Sequence, residues 1–206
     1  MMKHLFLFIT LSSILISGFT QTQLNLLDGR QIKLDSYVFH THEGYMNYSF
    51  VKENGKLKNT YADLDDVYSI SLNGADSVIY EQLLEEEYKL EEMSRIVEGR
   101  QDAIPEYKPW WAFASGMVVG GFILLPMEGM TMWIIPAVYI AGMSFVRPSE
   151  SYVLKRHDLA INDDLYLFGY RSTGRKKIFK NTALGVVSGL FVSGAILATL
   201  HFTGGQ

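Results

Sequence analysis

Three stretches of this 206-residue chain, residues 110–125, 132–146 and 182–200, contain no Asp, Glu, Lys or Arg. At about 1.5 Å per residue they reach roughly 22 to 29 Å as helices, close to the thickness of a bilayer core, where backbone polar groups must be satisfied within the segment. They predict three transmembrane helices. Pro109 suits a first helical turn, while Pro126, Glu128 and Gly129 interrupt the apolar run. Residues 110–146 are therefore expected to form a helical hairpin, and residues 182–202 a third span. Trp110 and Trp111 stand at one end of the hairpin and Trp133 at the other, where indole rings meet headgroups.

Each span carries small residues four apart: Ala112, Gly116 and Gly120, then Ala137 and Ala141, then Gly185, Gly189 and Ser193. Lipid gives helices no hydrophobic gain on joining, so close backbone approach across such faces is a main source of association. These faces are expected to pack helices together, within one chain or between copies in a homo-oligomer.

The rest of the chain is built differently. In residues 1–20, Lys3 and His4 precede an apolar run over 5–16 and then Ser17 and Gly18, the order of a secretory signal peptide, with cleavage expected near Thr20 and Gln21. A run of about 12 residues is short for a permanent span, and a retained anchor is the alternative. Residues 24–80 read as a small β-rich domain, because Asp28-Gly29, Glu43-Gly44, Asn54-Gly55 and Asn73-Gly74 punctuate short runs rich in β-branched and aromatic residues. The strands are expected over 31–35, 37–42, 45–51, 56–62, 67–72 and 77–80, forming a small β-roll or SH3-like barrel. Period-two geometry puts Met46, Tyr48 and Phe50 on the buried face of the third run. Over residues 81–99 the period becomes helical, with Leu83, Leu84, Leu90, Met93, Ile96 and Val97 on one side. The β-domain, or a second copy, is the expected partner for that stripe. Glu85 with Lys89 and Glu91 with Arg95 have the spacing of helical ion pairs. The fold class is thus an α+β membrane protein: a β-domain, an amphipathic helix and three transmembrane helices.

Charge divides the same way: residues 21–109 hold 17 acidic against 9 basic side chains, and residues 147–181 hold 4 against 8. The second segment mixes Tyr152, Leu165 and Phe168 with those bases and reads as an amphipathic connector lying on the bilayer. Arg175, Lys176, Lys177 and Lys180 are its expected interface anchors, each gaining about 1 kcal/mol from anionic headgroups. Bases beside an apolar span are no basis for a nucleic-acid surface. A hairpin returns the chain to its starting side, so the β-domain and residues 147–181 share a side of the membrane. The signal segment makes it periplasmic; the flanking lysines and arginines would make it cytoplasmic. The signal acts first, which favours an inner-membrane protein with a periplasmic β-domain.

No constellation of catalytic or cofactor-binding residues stands out. There is no cysteine, which excludes disulfides, thiolate metal sites and thiol catalysis. His40 and His42 would share a strand face beside Glu43, and Asp63, Asp65 and Asp66 cluster, yet neither set has a full metal-site spacing. Glu128 belongs to an exposed hairpin tip. His157 with Asp158, and Asp163 with Asp164, lack a nucleophile motif or a phosphate-binding loop.

Asp66-Val67-Tyr68-Ser69-Ile70, Val78-Ile79-Tyr80, Gly99-Arg100-Gln101-Asp102-Ala103 leading to Tyr107-Lys108-Pro109-Trp110, Gly169-Tyr170-Arg171 and Arg175-Lys176-Lys177 follow one another in this order. In that order of parts the chain resembles uncharacterised envelope membrane proteins common in Bacteroidota. The resemblance covers most of the mature chain; it implies location rather than activity and brings no catalytic residues with it. The expected function is a non-enzymatic envelope component, without metal or cofactor, that binds or scaffolds an envelope protein. A small transport or channel component, built from several copies packed through their glycine faces, is the alternative.

Overall fold

The computed structural model describes residues 22–82, 84, 87–121, 131–157 and 163–203. The signal segment and the hairpin tip with Pro126, Glu128 and Gly129 lie outside them. The chain divides into two compact units, 1–90 and 91–206.

Among the described residues the first unit holds seven strands in two antiparallel sheets. β1 (Thr22–Leu26), β2 (Gln31–Leu34), β6 (Val67–Leu72) and β7 (Ala75–Val78) form one in the order β2-β1-β6-β7; β3 (Ser36–His40), β4 (Tyr45–Val51) and β5 (Leu57–Asp63) form the other. Four hairpins turn at the four glycines read from sequence, and each of Gly29, Gly44, Gly55 and Gly74 has a positive φ. At Asn73-Gly74 both residues do (55° and 83°), the backbone a two-residue hairpin needs and that glycine adopts without Cβ strain. β2 passes into β3 through Asp35, whose N–H donates to Ser49 O at 2.9 Å. Met46 and Tyr48 are buried with Leu24, Leu26, Val67 and Ile70, and Phe50 and Ala62 pack against this cluster. The face expected to be buried in β4 is the one that closes the core.

β1 has no counterpart in the sequence reading, which began the domain near residue 24 without a strand. Its Asn25 lies on the strand face opposite Leu24 and Leu26, yet the residue is only 6% exposed. Its amide donates to Ser69 Oγ at 2.9 Å and Ser71 Oγ at 3.2 Å, so two cross-strand hydroxyls satisfy a side chain that would otherwise be costly to bury.

Among the described residues the second unit contains five helices: α1 (Leu90–Glu106), α2 (Trp110–Gly121), α3 (Thr131–Met143), α4 (Glu150–Leu154) and α5 (Asp164–Thr203). The amphipathic helix starts at Leu90, nine residues after the expected start at Glu81, and runs to Glu106. Before it, Gln82 Nε2 donates to the Leu84 and Glu87 carbonyls and Tyr80 Oη to the Tyr88 carbonyl, occupying acceptors that a helix would use. Arg95 pairs with Glu98 (3.2 Å) and Asp163 (3.5 Å) rather than with Glu91. The buried stripe Ile96, Val97, Gly99 and Ala103 finds its partner in α5, where Gly99 abuts Tyr166 and Tyr170.

Three transmembrane helices are not what the described chain presents. Among the described residues one helix, Asp164–Leu200, is long and apolar enough to cross a membrane. Within the described residues α2 accounts for 12 residues and α3 for 13, about 18 to 20 Å of helix each. Nor is 147–181 a connector lying apart from the last span. From Asp164 onward its residues belong to the same 40-residue helix as that span. Asp163 starts this helix, its Oδ1 accepting from the N–H groups of Leu165 (3.1 Å) and Tyr166 (2.9 Å).

Candidate functional site

The organising feature of the second unit is a seam along α5. Ile96 meets Gly169, Phe113 meets Gly185, Met117 meets Gly189, and Ser193 Oγ donates to Gly121 O at 3.3 Å. The separation in sequence stays at 72 or 73 residues along the whole series. A constant offset means that α1 and α2 run parallel to α5 and in step with it.

The contacts are also reciprocal. Gly116 faces Thr182 and Val186, and Gly185 faces Phe113 and Met117; Gly120 faces Val186 and Leu190, and Gly189 faces Met117 and Gly121. Gly99 on Tyr166 and Gly169 on Ile96 repeat the exchange lower down. Shifting α2 by 69 residues maps each upper contact onto its mate, and Ala114, Gly116, Val118, Gly120 and Phe122 recur as Ala183, Gly185, Val187, Gly189 and Phe191. A self-complementary patch of this kind ordinarily joins two identical chains. Here it closes within one chain.

At each of these glycines a Cβ would strike the facing backbone. Ala112 and Ser193 are buried in the same seam. Ala137 and Ala141, expected to pack in the same manner, are exposed. α3 buries Pro136 and Met143, a different face of the helix, so the small pair takes no part in the seam.

Where α1 gives way to α2, Pro105 and Pro109 remove backbone donors and leave carbonyls to be satisfied. Lys177 supplies them: its Nζ donates to Ile104 O and, at 3.0 Å, to Tyr107 O. A cation at a helix C-terminus is also favoured by the aligned peptide dipoles. Lys177, expected at the lipid interface, spends two of its donors on these carbonyls. Asn181 Nδ2 adds a bond to Pro109 O at 3.3 Å. Lys176 and Lys180 are exposed and Arg175 half-buried. Trp110 is 74% exposed. Trp111 is exposed over half its surface and hydrogen-bonds Tyr107; burial pushes the Tyr107 phenol up and that bond pulls it part of the way back. Trp133 has no described side chain.

Below the break lies a polar clasp. His157 Nε2 is 2.8 Å from Glu106 Oε2, and Tyr166 Oη donates to Asp102 Oδ2 at 2.8 Å. The Tyr107 ring meets Tyr152 edge-on at 5.4 Å and Tyr170 at 6.4 Å. Arg171 reaches Glu150 at 2.5 Å, tying α4 to α5. His157 and Asp102 are acid–base groups in reach of one another (3.9 Å), yet both are engaged in holding α1 and α5 to the returning chain. Sequence reasoning overlooked Asp102, Glu106, Tyr166 and the close approaches of Gly99 to Tyr166 and of Gly169 to Ile96. The recurrence of the glycine pattern 69 residues apart was the available signal for the seam.

The remaining candidates separate. β3 ends at His40, whose ring stacks on Tyr45 at 4.7 Å and accepts from Asn47; His42 sits in the following turn rather than on the same strand face. Asp63 ends β5, while Asp65 and Asp66 belong to the one-turn 3-10 helix Leu64–Asp66. Asp163 caps α5. Glu128 and Asp158 lie outside the described residues. Among the described residues no group of three His, Cys, Asp or Glu is arranged to hold a metal. No family model, no curated protein and no solved structure matches the chain.

Proposed function

We propose that this chain is a membrane-anchored, non-enzymatic envelope protein. The helical unit holds it in the inner membrane, and the β-unit is a periplasmic module that binds or scaffolds another envelope protein. The observation that carries the reading is the inside-out composition of the upper half of α5. Gly185, Gly189 and Ser193 face inward, while Leu184, Val187, Phe191, Ile196 and Leu200 face outward, Phe191 with 76% of its surface exposed. In water that arrangement forgoes about 25 cal/mol for every Å² of apolar surface left exposed. In lipid it has no such cost, because tails solvate large side chains and close glycine contacts hold the helices. α2 contacts residues 182–193 in step. It must therefore share their depth, and α3 would complete a hairpin through the unit.

For the β-unit, support comes from the outer face of β3-β4-β5. There Val38, Asn47 and Tyr61 share a register row, and Tyr61 is 66% exposed beside the Tyr45 ring. The channel reading is weakened by the same seam. The glycine faces needed to join several copies are occupied within each copy.

Alkaline carbonate extraction of cells, with a phosphatase reporter joined at Gln82, tests the proposal. The chain should stay in the membrane pellet and the reporter should be active. Release into the supernatant would remove the anchor, and reporter activity confined to a cytoplasmic enzyme would reverse the orientation.

A further inference from the structure

A cavity of about 480 Å³ opens at the α1–α2 break, lined by Tyr107, Lys108, Trp110, Phe113, Lys177 and Lys180 among others. Its composition is one-sided. Three lysines line it, no carboxylate does, and no ion pair among the described residues includes any of the three. Lys177 is fixed by its bonds to the Ile104 and Tyr107 carbonyls, and an ammonium has three donors, so one N–H is left over. Like charges gathered without a counter-charge repel one another, and an anion seated among them would remove that cost.

The other wall is aromatic. Trp110 and Phe113 pack edge-on at 6.4 Å, on the first turn of the uncharged α2. Lys108 is the last charged residue before α2, and Lys180 is the last in α5. The cavity therefore straddles the level at which both strands of the helix pair pass from charged to uncharged sequence. Cations on the polar side and rings on the apolar side match a ligand with an anionic head and an acyl tail.

We infer that this cavity is a binding site for one anionic phospholipid, its phosphate held by Lys108, Lys177 and Lys180 and its chain lying along Trp110 and Phe113. The site rests on the membrane reading, since only an inserted helix pair brings the cavity to headgroup depth. Free phosphate would share the cations but leave the aromatic wall unused, which favours the lipid.

The full chain carrying Trp111→Phe and Trp133→Phe, with Trp110 as its remaining indole, is reconstituted into phosphatidylcholine vesicles doped with either brominated phosphatidylglycerol or brominated phosphatidylcholine. Brominated phosphatidylglycerol should quench Trp110 several-fold more than the choline lipid at equal mole fraction, and saturably, with inorganic phosphate at millimolar concentration failing to displace it. Lys108→Gln with Lys180→Gln should erase the preference, Lys108→Arg with Lys180→Arg should keep it, and Lys176→Gln, outside the cavity, should leave it unchanged. Equal quenching by the two lipids overturns the site while leaving the anchor standing. So does displacement by phosphate, which would mark a soluble-anion site, or an equal loss in Lys176→Gln, which would mark diffuse surface attraction. Failure to float with vesicles of either composition overturns the membrane reading itself.

Discussion

Below Asn181 and above it, the same pair of helical tracks runs in step, and the two halves are held by different chemistry. In the lower half one glycine on each side, Gly99 and Gly169, permits the approach. Around it stand tyrosine rings, the His157–Glu106 pair, the Asp102–Tyr166 bond and the Lys177 cap. In the upper half the contacts come from Gly116, Gly120, Gly185 and Gly189 with few polar bonds, and large apolar side chains point away. Polar side-chain networks suit a segment that water reaches, where hydrophobic burial and charge pairing both operate. Backbone-to-backbone packing suits a segment in lipid, where large apolar groups gain nothing by turning inward. One geometry is thus stabilised twice, by polar bonds and rings in one half and by glycine contacts in the other.

Substitutions that act on one half and spare the other can break this contrast. The largest effect is expected at Gly120, where a side chain meets the Val186 carbonyl and neither backbone can retreat without disturbing the next contact. Gly120→Leu should cost about 3 kcal/mol, read as helix-pair opening in a denaturant titration of the reconstituted protein. Gly194→Leu, on the same helix with nothing within 4 Å, should leave the curve nearly unmoved. Equal losses would mean that the glycines matter through helix propensity and not through contact. Next comes the boundary: Lys177→Met leaves two carbonyls without their donor and should cost about 2 kcal/mol, seen as faster amide exchange near residues 104–112 than in α2's upper turns. If exchange rises evenly along both halves, the cap is not a local device. The smallest change belongs to the partly exposed pair at the base, where Glu106→Gln should cost about 0.5 kcal/mol, less in high salt. A loss as large as that of Gly120→Leu would show that the clasp, not the seam, holds the pair.

The β-unit was the more legible of the two. Its four turns require positive φ, a demand that Asp-Gly, Glu-Gly and Asn-Gly state locally, and β4 and β6 span 45–51 and 67–72 as expected. β1 was hidden because Asn25 is tolerable only against Ser69 and Ser71, more than 40 residues away. The small residues of α2 and α5 were visible as candidates for close packing. Their mutual partnership was not, since spacing by four marks a face without saying what it meets. The unbroken α5 escaped for a related reason: glycine has a low intrinsic helix propensity, and the role of Gly169 and Gly174 emerges only when Ile96 and Pro148 occupy the space a Cβ would fill. The clasp was illegible because Glu106 and His157 lie 51 residues apart and neither belongs to a motif.

The chain lacks cysteine, so single-thiol variants give a clean readout of where water ends along the pair. Lys176→Cys, Leu184→Cys and Phe191→Cys each replace a side chain on the outward surface of α5. In sealed vesicles a water-soluble maleimide should label the first rapidly and the other two only after denaturation. Equally fast labelling of all three would place the glycine half in water and contradict the two-solvent account.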